Sequence, residues 1–159
     1  MNAVDYVEGD GRLLAIVVRA DIDERGTVPL TDESLPLQMS VMVKGEGEGS
    51  PAHVHNPSVA VDQEGRYRHE MFHVLEGRVD VGVHTGDGAL VERVVLGLGD
   101  TILLFEGHDT VFLERTRLVE IKDGPYPGPE IDKRWLQLGL RMVPPPGVEP
   151  GTLRCLLMA

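Results

Sequence analysis

The run Glu70-Met71-Phe72-His73-Val74-Leu75-Glu76-Gly77 decides how this chain folds. It is a short apolar segment closed by a Glu-Gly turn, which reads as a β-strand. His53-Val54-His55 lies upstream of it, and downstream His108 follows Gly107 at the end of another apolar strand. Residues two apart on a strand point the same way, so His53 and His55 can grip one ion from one side. Glu70 and His108, on a second and third strand, can close the opposite side. Without that closure the pair means little, because an isolated His-x-His arises readily by chance.

The rest of the chain carries the same punctuation. Nineteen glycines and 11 prolines separate short runs rich in β-branched residues: Leu13 to Val18, Leu37 to Val43, Met71 to Leu75, Val79 to Val83, Leu90 to Leu96, Thr101 to Phe105, Thr110 to Leu113 and Leu118 to Ile121. About eight strands spaced by roughly 8 to 12 residues is the pattern of an all-β sandwich or barrel. Ile131 to Leu138 is the one candidate for a short helix, and Trp135 to Leu140 could equally be a strand. Val143-Pro144-Pro145-Pro146-Gly147 continues neither, so 143–159 is expected to be an extended tail or an arm onto a partner. The 159 residues fit a single domain, 1–159, with no internal repeat and no low-complexity tract.

Charge and composition remove whole classes of function. With 26 acidic against 15 basic residues the formal net charge is -11, and no lysine or arginine cluster offers a face to nucleic acid. No apolar run approaches the roughly 20 residues of a spanning helix, so a membrane is not an expected partner. The start, Met1-Asn2-Ala3-Val4-Asp5-Tyr6, has neither the basic segment nor the apolar core of a secretory signal, which makes the cytoplasm the expected location. The single cysteine, Cys155, cannot form an internal disulfide.

These residues resemble the two motifs of the cupin superfamily. The first motif joins a glycine, a His-x-His pair, a glutamate and a second glycine. Gly47, His53, His55, Glu70 and Gly77 reproduce its outer spacings, while fourteen residues, Asn56 to His69, fill a gap that usually holds only a few. An insertion in a connecting loop adds little closure entropy and need not move the ligands. In the second motif Gly99 and Gly107 are in place, Phe105 replaces a proline and Glu114 an asparagine. His108 comes two positions early, a shift that preserves strand face. The motifs span 47–114. The resemblance implies a single-domain cupin-type β-sandwich or barrel, a jelly roll with little helix, assembled as a homodimer. It also implies a metal site of His53, His55, Glu70 and His108.

Three imidazoles and one carboxylate suit a borderline divalent ion, and the absence of a cysteine near them argues against a thiolate-rich structural zinc site. Iron, manganese, nickel, cobalt and zinc all remain open. If Glu70 faces inward, strand parity turns Phe72 and Val74 inward too. The same parity takes Thr110 and Phe112 with His108. Glu120 and Lys122 share one face of their strand, and Tyr126 follows in a rigid loop, so Phe72, Thr110, Phe112, Glu120, Lys122 and Tyr126 are the expected pocket residues for a small-molecule ligand. The phrase Glu120-Ile121-Lys122-Asp123-Gly124-Pro125-Tyr126 is similar to small cupins near polysaccharide and nucleotide-sugar pathways. His69 and His73 are expected outward or behind the ligands, and His84 exposed at a hairpin tip. Arg66, Tyr67 and Arg68 form a solvated basic hairpin or, on a second reading, a lid. No general base is evident, so no catalytic residue is assigned. The expected function is a metal-dependent enzyme on a small polar metabolite or sugar derivative, of oxygenase, isomerase or lyase type; the alternative is a non-catalytic small-molecule or metal-binding module.

Overall fold

The computed structural model describes residues 3–19, 21–57 and 67–137. Within them lie β1 (Val4–Gly9), β2 (Arg12–Val18), β3 (Gly26–Pro29), β4 (Leu37–Lys44), β5 (Gly49–His55), β6 (Glu70–Glu76), β7 (Val79–His84), β8 (Leu90–Leu96), β9 (Thr101–Leu104), β10 (Gly107–Phe112), β11 (Thr116–Asp123), α1 (Pro129–Asp132) and β12 (Lys133–Trp135). Two five-stranded antiparallel sheets, ordered β12-β5-β10-β7-β8 and β3-β4-β11-β6-β9, form the sandwich, and β1 and β2 make a separate hairpin. The expected all-β jelly roll with little helix is what the chain adopts.

Alternation builds the core. Every second residue of β6, from Glu70 through Phe72 to Val74, is buried, and on β10 the buried set is His108, Thr110 and Phe112 with Gly107. Phe72, Val74, Val79, Val81, Leu96, Leu104, Phe112 and Leu118 interlock between the sheets. At the β6–β7 turn Gly77 adopts φ 79, and a Cβ there would strike the Arg115 carbonyl, so only glycine lets the chain reverse this tightly. A second cluster sits on the outer face of β4, where Val41 and Val43 pack with Ile22 and Leu30 beneath Ile16 and Val18 of the hairpin. The apolar run Leu13 to Val18 in β2 is thus partly covered from within, while Tyr6, Val7, Leu13 and Leu14 stay exposed.

Several expectations change. The short helix is Pro129–Asp132 rather than Ile131 to Leu138, and Lys133–Trp135 is extended because its backbone pairs with the free edge of β5. Leu138 lies outside the described residues, as do Cys155, Arg66 and the 143–159 tail. Strand β5 contains Pro51 and no apolar run, which is why run counting omits it although it carries the histidine pair. His84 is not exposed: Gly107 packs against it and against Leu136, and its Nε2 meets Asp109 at 2.6 Å. Among the described residues no helix is long and apolar enough to cross a membrane.

Candidate metal centre

Antiparallel pairing brings the four candidate ligands together from three strands. His108 lies opposite His53 in the β10–β5 ladder, and β6 brings Glu70 across from the facing sheet. The donor atoms of His53, His55, Glu70 and His108 lie within 4.8 Å of one another, and all four residues are buried. The Glu70 carboxylate stands 3.2 Å from His55 Nε2 and 2.7 Å from His108 Nε2. Phe72 closes the floor, its ring edge-on to His108 at 5.9 Å.

The hydrogen bonds set the ring tautomers. His53 donates from Nδ1 to the Pro51 carbonyl at 2.7 Å, so its Nε2 carries a lone pair, and that atom is buried with no partner. Burial, reinforced by the charge of His108, lowers the His53 pKa to about 3, so the ring is neutral at ordinary pH. His55 donates from Nδ1 to Asp132 Oδ2 at 3.1 Å and turns Nε2 toward Glu70. Burial alone would depress His55, but its bonds to Asp132 and Glu70 raise it. Burial likewise opposes ionisation of Glu70, and the hydrogen bonds from His108 and His55 overcome it and hold the carboxyl well below the usual range. A buried imidazole lone pair without a partner, in a dry cluster that also holds an ionised carboxylate, fits a cation.

Behind the ligands lies a charged layer centred on Asp132, a residue to which the sequence assigns no role. Asp132 Oδ1 meets Arg68 Nη1 at 2.5 Å, and its Oδ2 lies 3.5 Å from Lys122 Nζ. Burial would raise the Asp132 pKa, but the His55 hydrogen bond and the charges of His55, Lys122 and Arg68 bring it to about 2. Arg68 is therefore not part of a solvated hairpin; it is 3% exposed and also donates to the Asp123 carbonyl. Glu120 is buried, 3.6 Å from Lys122 Nζ. Burial foremost, and then the Glu70 charge, push its pKa up to about 7. His69 and His73 face away from the site, His73 meeting Thr101 Oγ1 at 2.9 Å.

The expected pocket residues separate into two groups. Phe72 and Phe112 belong to the packed core cluster and Thr110 accepts a hydrogen bond from the Ser50 amide, so these three are interior residues, and neither they nor Glu120 line the cavity that Lys122 and Tyr126 face. Lys122 and Tyr126, with the ammonium 5.1 Å from the ring centroid, line a cavity of about 710 Å³ together with Thr27, Thr31, Gln38 and Ser40. Asp132 and Arg68 could have been suspected only from their charge in otherwise mixed segments, because the partner of each, His55 for Asp132 and Asp132 for Arg68, is remote in sequence.

No protein-family model matches this chain, and no curated protein does. Among solved structures it is similar to a cupin superfamily protein from Desulfitobacterium hafniense, at 14% identity over 76% of this chain and 97% of that one, with a TM-score of 0.51. It is also similar to a conserved protein with a double-stranded β-helix domain from Klebsiella pneumoniae, at 15% identity over 76% of this chain and 90% of that one, with a TM-score of 0.50. The likeness is one of architecture: the chain has the cupin, or double-stranded β-helix, fold.

Proposed function

We propose that this chain is a metal-dependent enzyme acting on a small polar metabolite or sugar derivative, with His53, His55, Glu70 and His108 holding one divalent ion. The observation that carries the reading is the meeting of four buried donor groups within 4.8 Å, with His53 Nε2 aimed inward and unpartnered. Three imidazoles and one carboxylate suit iron, manganese, nickel, cobalt or zinc and leave coordination positions open. Such an ion, when bound, supplies Lewis-acid polarisation of an oxygen on the bound molecule or activates a water. The chain's own residues do the rest. Glu120, buried between Glu70 and Lys122, is the group placed to hold and move a proton. Lys122 and Tyr126 orient a polar molecule in the cavity they line, and Phe72 and Phe112 keep water from the floor. The same reading includes assembly as a homodimer, supported by the apolar side chains the β1–β2 hairpin leaves exposed.

Metal analysis of protein purified without added metal tests this reading. Bound ion that is lost on His55→Ala substitution, with the β-sheet circular dichroism retained, is the expected result; protein that takes up no ion on reconstitution would overturn it. Turnover is then sought among small carbonyl compounds, diols and nucleotide sugars. Stoichiometric ion without turnover on any of them would point to the non-catalytic binding module.

A further inference from the structure

Two inward-facing side chains of β12 have no role in the assignments above. In the β12–β5 ladder Lys133 lies opposite His55 and Trp135 opposite His53, and directly opposed residues of an antiparallel pair share a sheet face. Arg134, between them, takes the other face and bonds the Tyr67 hydroxyl and the Gly86 carbonyl. The Trp135 ring meets the His53 ring edge-on, with centroids 5.5 Å apart, and yet the residue is 57% exposed. A large aromatic surface thus stands open at the rim of the candidate metal centre.

Lys133 differs from the other cations of this region in having no carboxylate at ion-pair distance among the described residues. Arg68 is paired with Asp132, and Lys122 with Glu120 and Asp132. Among the described residues the Lys133 side chain makes no ion pair and no hydrogen bond, and its place opposite His55 in the ladder puts it on the face that carries the histidine pair, where its charge acts on both His53 and Glu120. The charges around the centre decide what it can take. Glu70, Asp132 and, when ionised, Glu120 at most balance Arg68, Lys122 and Lys133, and the histidines add nothing when neutral. A divalent ion would leave the region with a net charge of at least two positive, and the cation at its rim without an ion pair among the described residues is Lys133. An anion entering between Lys133 and the centre would meet favourable charge on both sides.

We propose that Lys133 and Trp135 form a recognition subsite for a small carboxylate-bearing molecule, its anion paired with Lys133 and its carbon skeleton laid against the Trp135 ring. The proposal deepens the metal-dependent reading and rests on it for the charge excess; the β12 geometry stands without it. Trp135 is the one tryptophan in the chain, so its fluorescence reports on this subsite directly. The protein, reconstituted with Mn²⁺, is titrated with pyruvate and with succinate, and in parallel with the uncharged dihydroxyacetone, while bound metal is measured in the same samples. A saturable change in emission with at least one of the carboxylates, and a response to dihydroxyacetone at least tenfold weaker, is expected. Lys133→Gln should weaken carboxylate binding roughly tenfold or more, the scale of a lost charged hydrogen bond, and Lys133→Arg should restore most of it, both with metal content unchanged. Trp135→Leu, followed by calorimetry, should also weaken binding. No saturable change with either carboxylate, equal response to dihydroxyacetone, or unaltered affinity in Lys133→Gln would overturn the subsite. Should the unaltered protein bind no metal and still lose carboxylate affinity on Lys133→Gln, the metal reading falls and the subsite stands.

Discussion

The Asp132 carboxylate receives the Nδ1 proton of His55 at 3.1 Å across 77 positions of sequence. The contact is made by the last secondary elements of the described chain: α1 delivers Asp132, β12 pairs with β5, and the Asn56 amide donates to the Asp132 carbonyl at 2.8 Å. A histidine whose far nitrogen is tied to a carboxylate has one tautomer and one orientation, with the near nitrogen left for a ligand role. Arg68 and Lys122 hold that carboxylate in turn, so its position is fixed from three sides.

Asp132→Asn should therefore weaken metal retention by about 10- to 100-fold, the usual effect of removing an outer-shell carboxylate. Competition against a chelator of known affinity measures it. Asp132→Ala should in addition destabilise the fold, because Arg68 would be left buried without its partner, a loss of about 3 to 5 kcal/mol. Unchanged chelator competition in Asp132→Asn would mean that His55 is oriented by packing alone.

Glu120 gives the metal-free protein a pH dependence of definite sign. Its pKa rises from an ordinary 4.5 to about 7, with burial as the leading cause. A raised folded-state pKa contributes stability that is fully present below the unfolded value and is lost as pH rises through the folded one. Urea unfolding of metal-free protein should thus show a fall in stability between about pH 4.5 and 7 that Glu120→Gln lacks. Asp132 acts in a separate window. Its pKa is lowered to about 2, so its contribution is present above the unfolded value and disappears only as pH falls toward 2. Parallel stability curves for wild type and Glu120→Gln from pH 4.5 to 8 would count against the burial of Glu120.

Period-two parity made the inner faces readable in the sequence: Glu70 predicts Phe72 and Val74, and His108 predicts Thr110 and Phe112, all of them buried. The two-residue displacement of His108 was tolerable for the same reason. What parity cannot supply is the partner across the molecule. His84 looked like a hairpin tip and is a buried residue bonded to Asp109, and Arg68 looked solvated and is locked to Asp132. In each case the deciding contact joins positions remote in sequence, for which a single chain carries no local signal. Strand β12 overlaps the strand reading of Trp135 to Leu140 at Trp135 alone, since its three residues become a strand only where the edge of β5 pairs them.

The same parity separates neighbours by their stability effect. Phe112 is 1% exposed in the central cluster, while Val111 beside it is 41% exposed on the opposite face. Phe112→Ala should cost about 3 to 5 kcal/mol, whereas Val111→Ala should stay within about 0.5 kcal/mol. Chemical denaturation of both variants checks the register of β10, and comparable losses would show that it is wrong.

Assembly is testable at the hairpin. Tyr6, Val7, Leu13 and Leu14 present apolar side chains to solvent, Leu14 being 60% exposed, and a second copy would cover them. Light scattering should give a mass near twice 17.4 kDa, and Leu14→Lys should return it to the single-chain value without loss of β-sheet signal. A 17.4 kDa species from the unaltered protein would refute the dimer.

Removal of the ion should be felt by the whole fold, because the ligands come from both sheets of the sandwich. His53 and His55 stand on β5 and His108 on β10 of one sheet, with Glu70 on β6 of the other, so an ion among them ties the layers together. A ligand that binds only the folded state adds stability by mass action, about 2.7 kcal/mol when present at 100 times its dissociation constant. For a chain of this size each kcal/mol moves the melting temperature by about 2 to 4 °C, so chelation should lower Tm by roughly 5 to 11 °C. His55→Ala should melt near the chelated value and be indifferent to chelator, since it has lost the linkage rather than the core. A wild-type Tm unmoved by chelator, in protein shown to have carried metal beforehand, would place the ion somewhere other than between the two sheets.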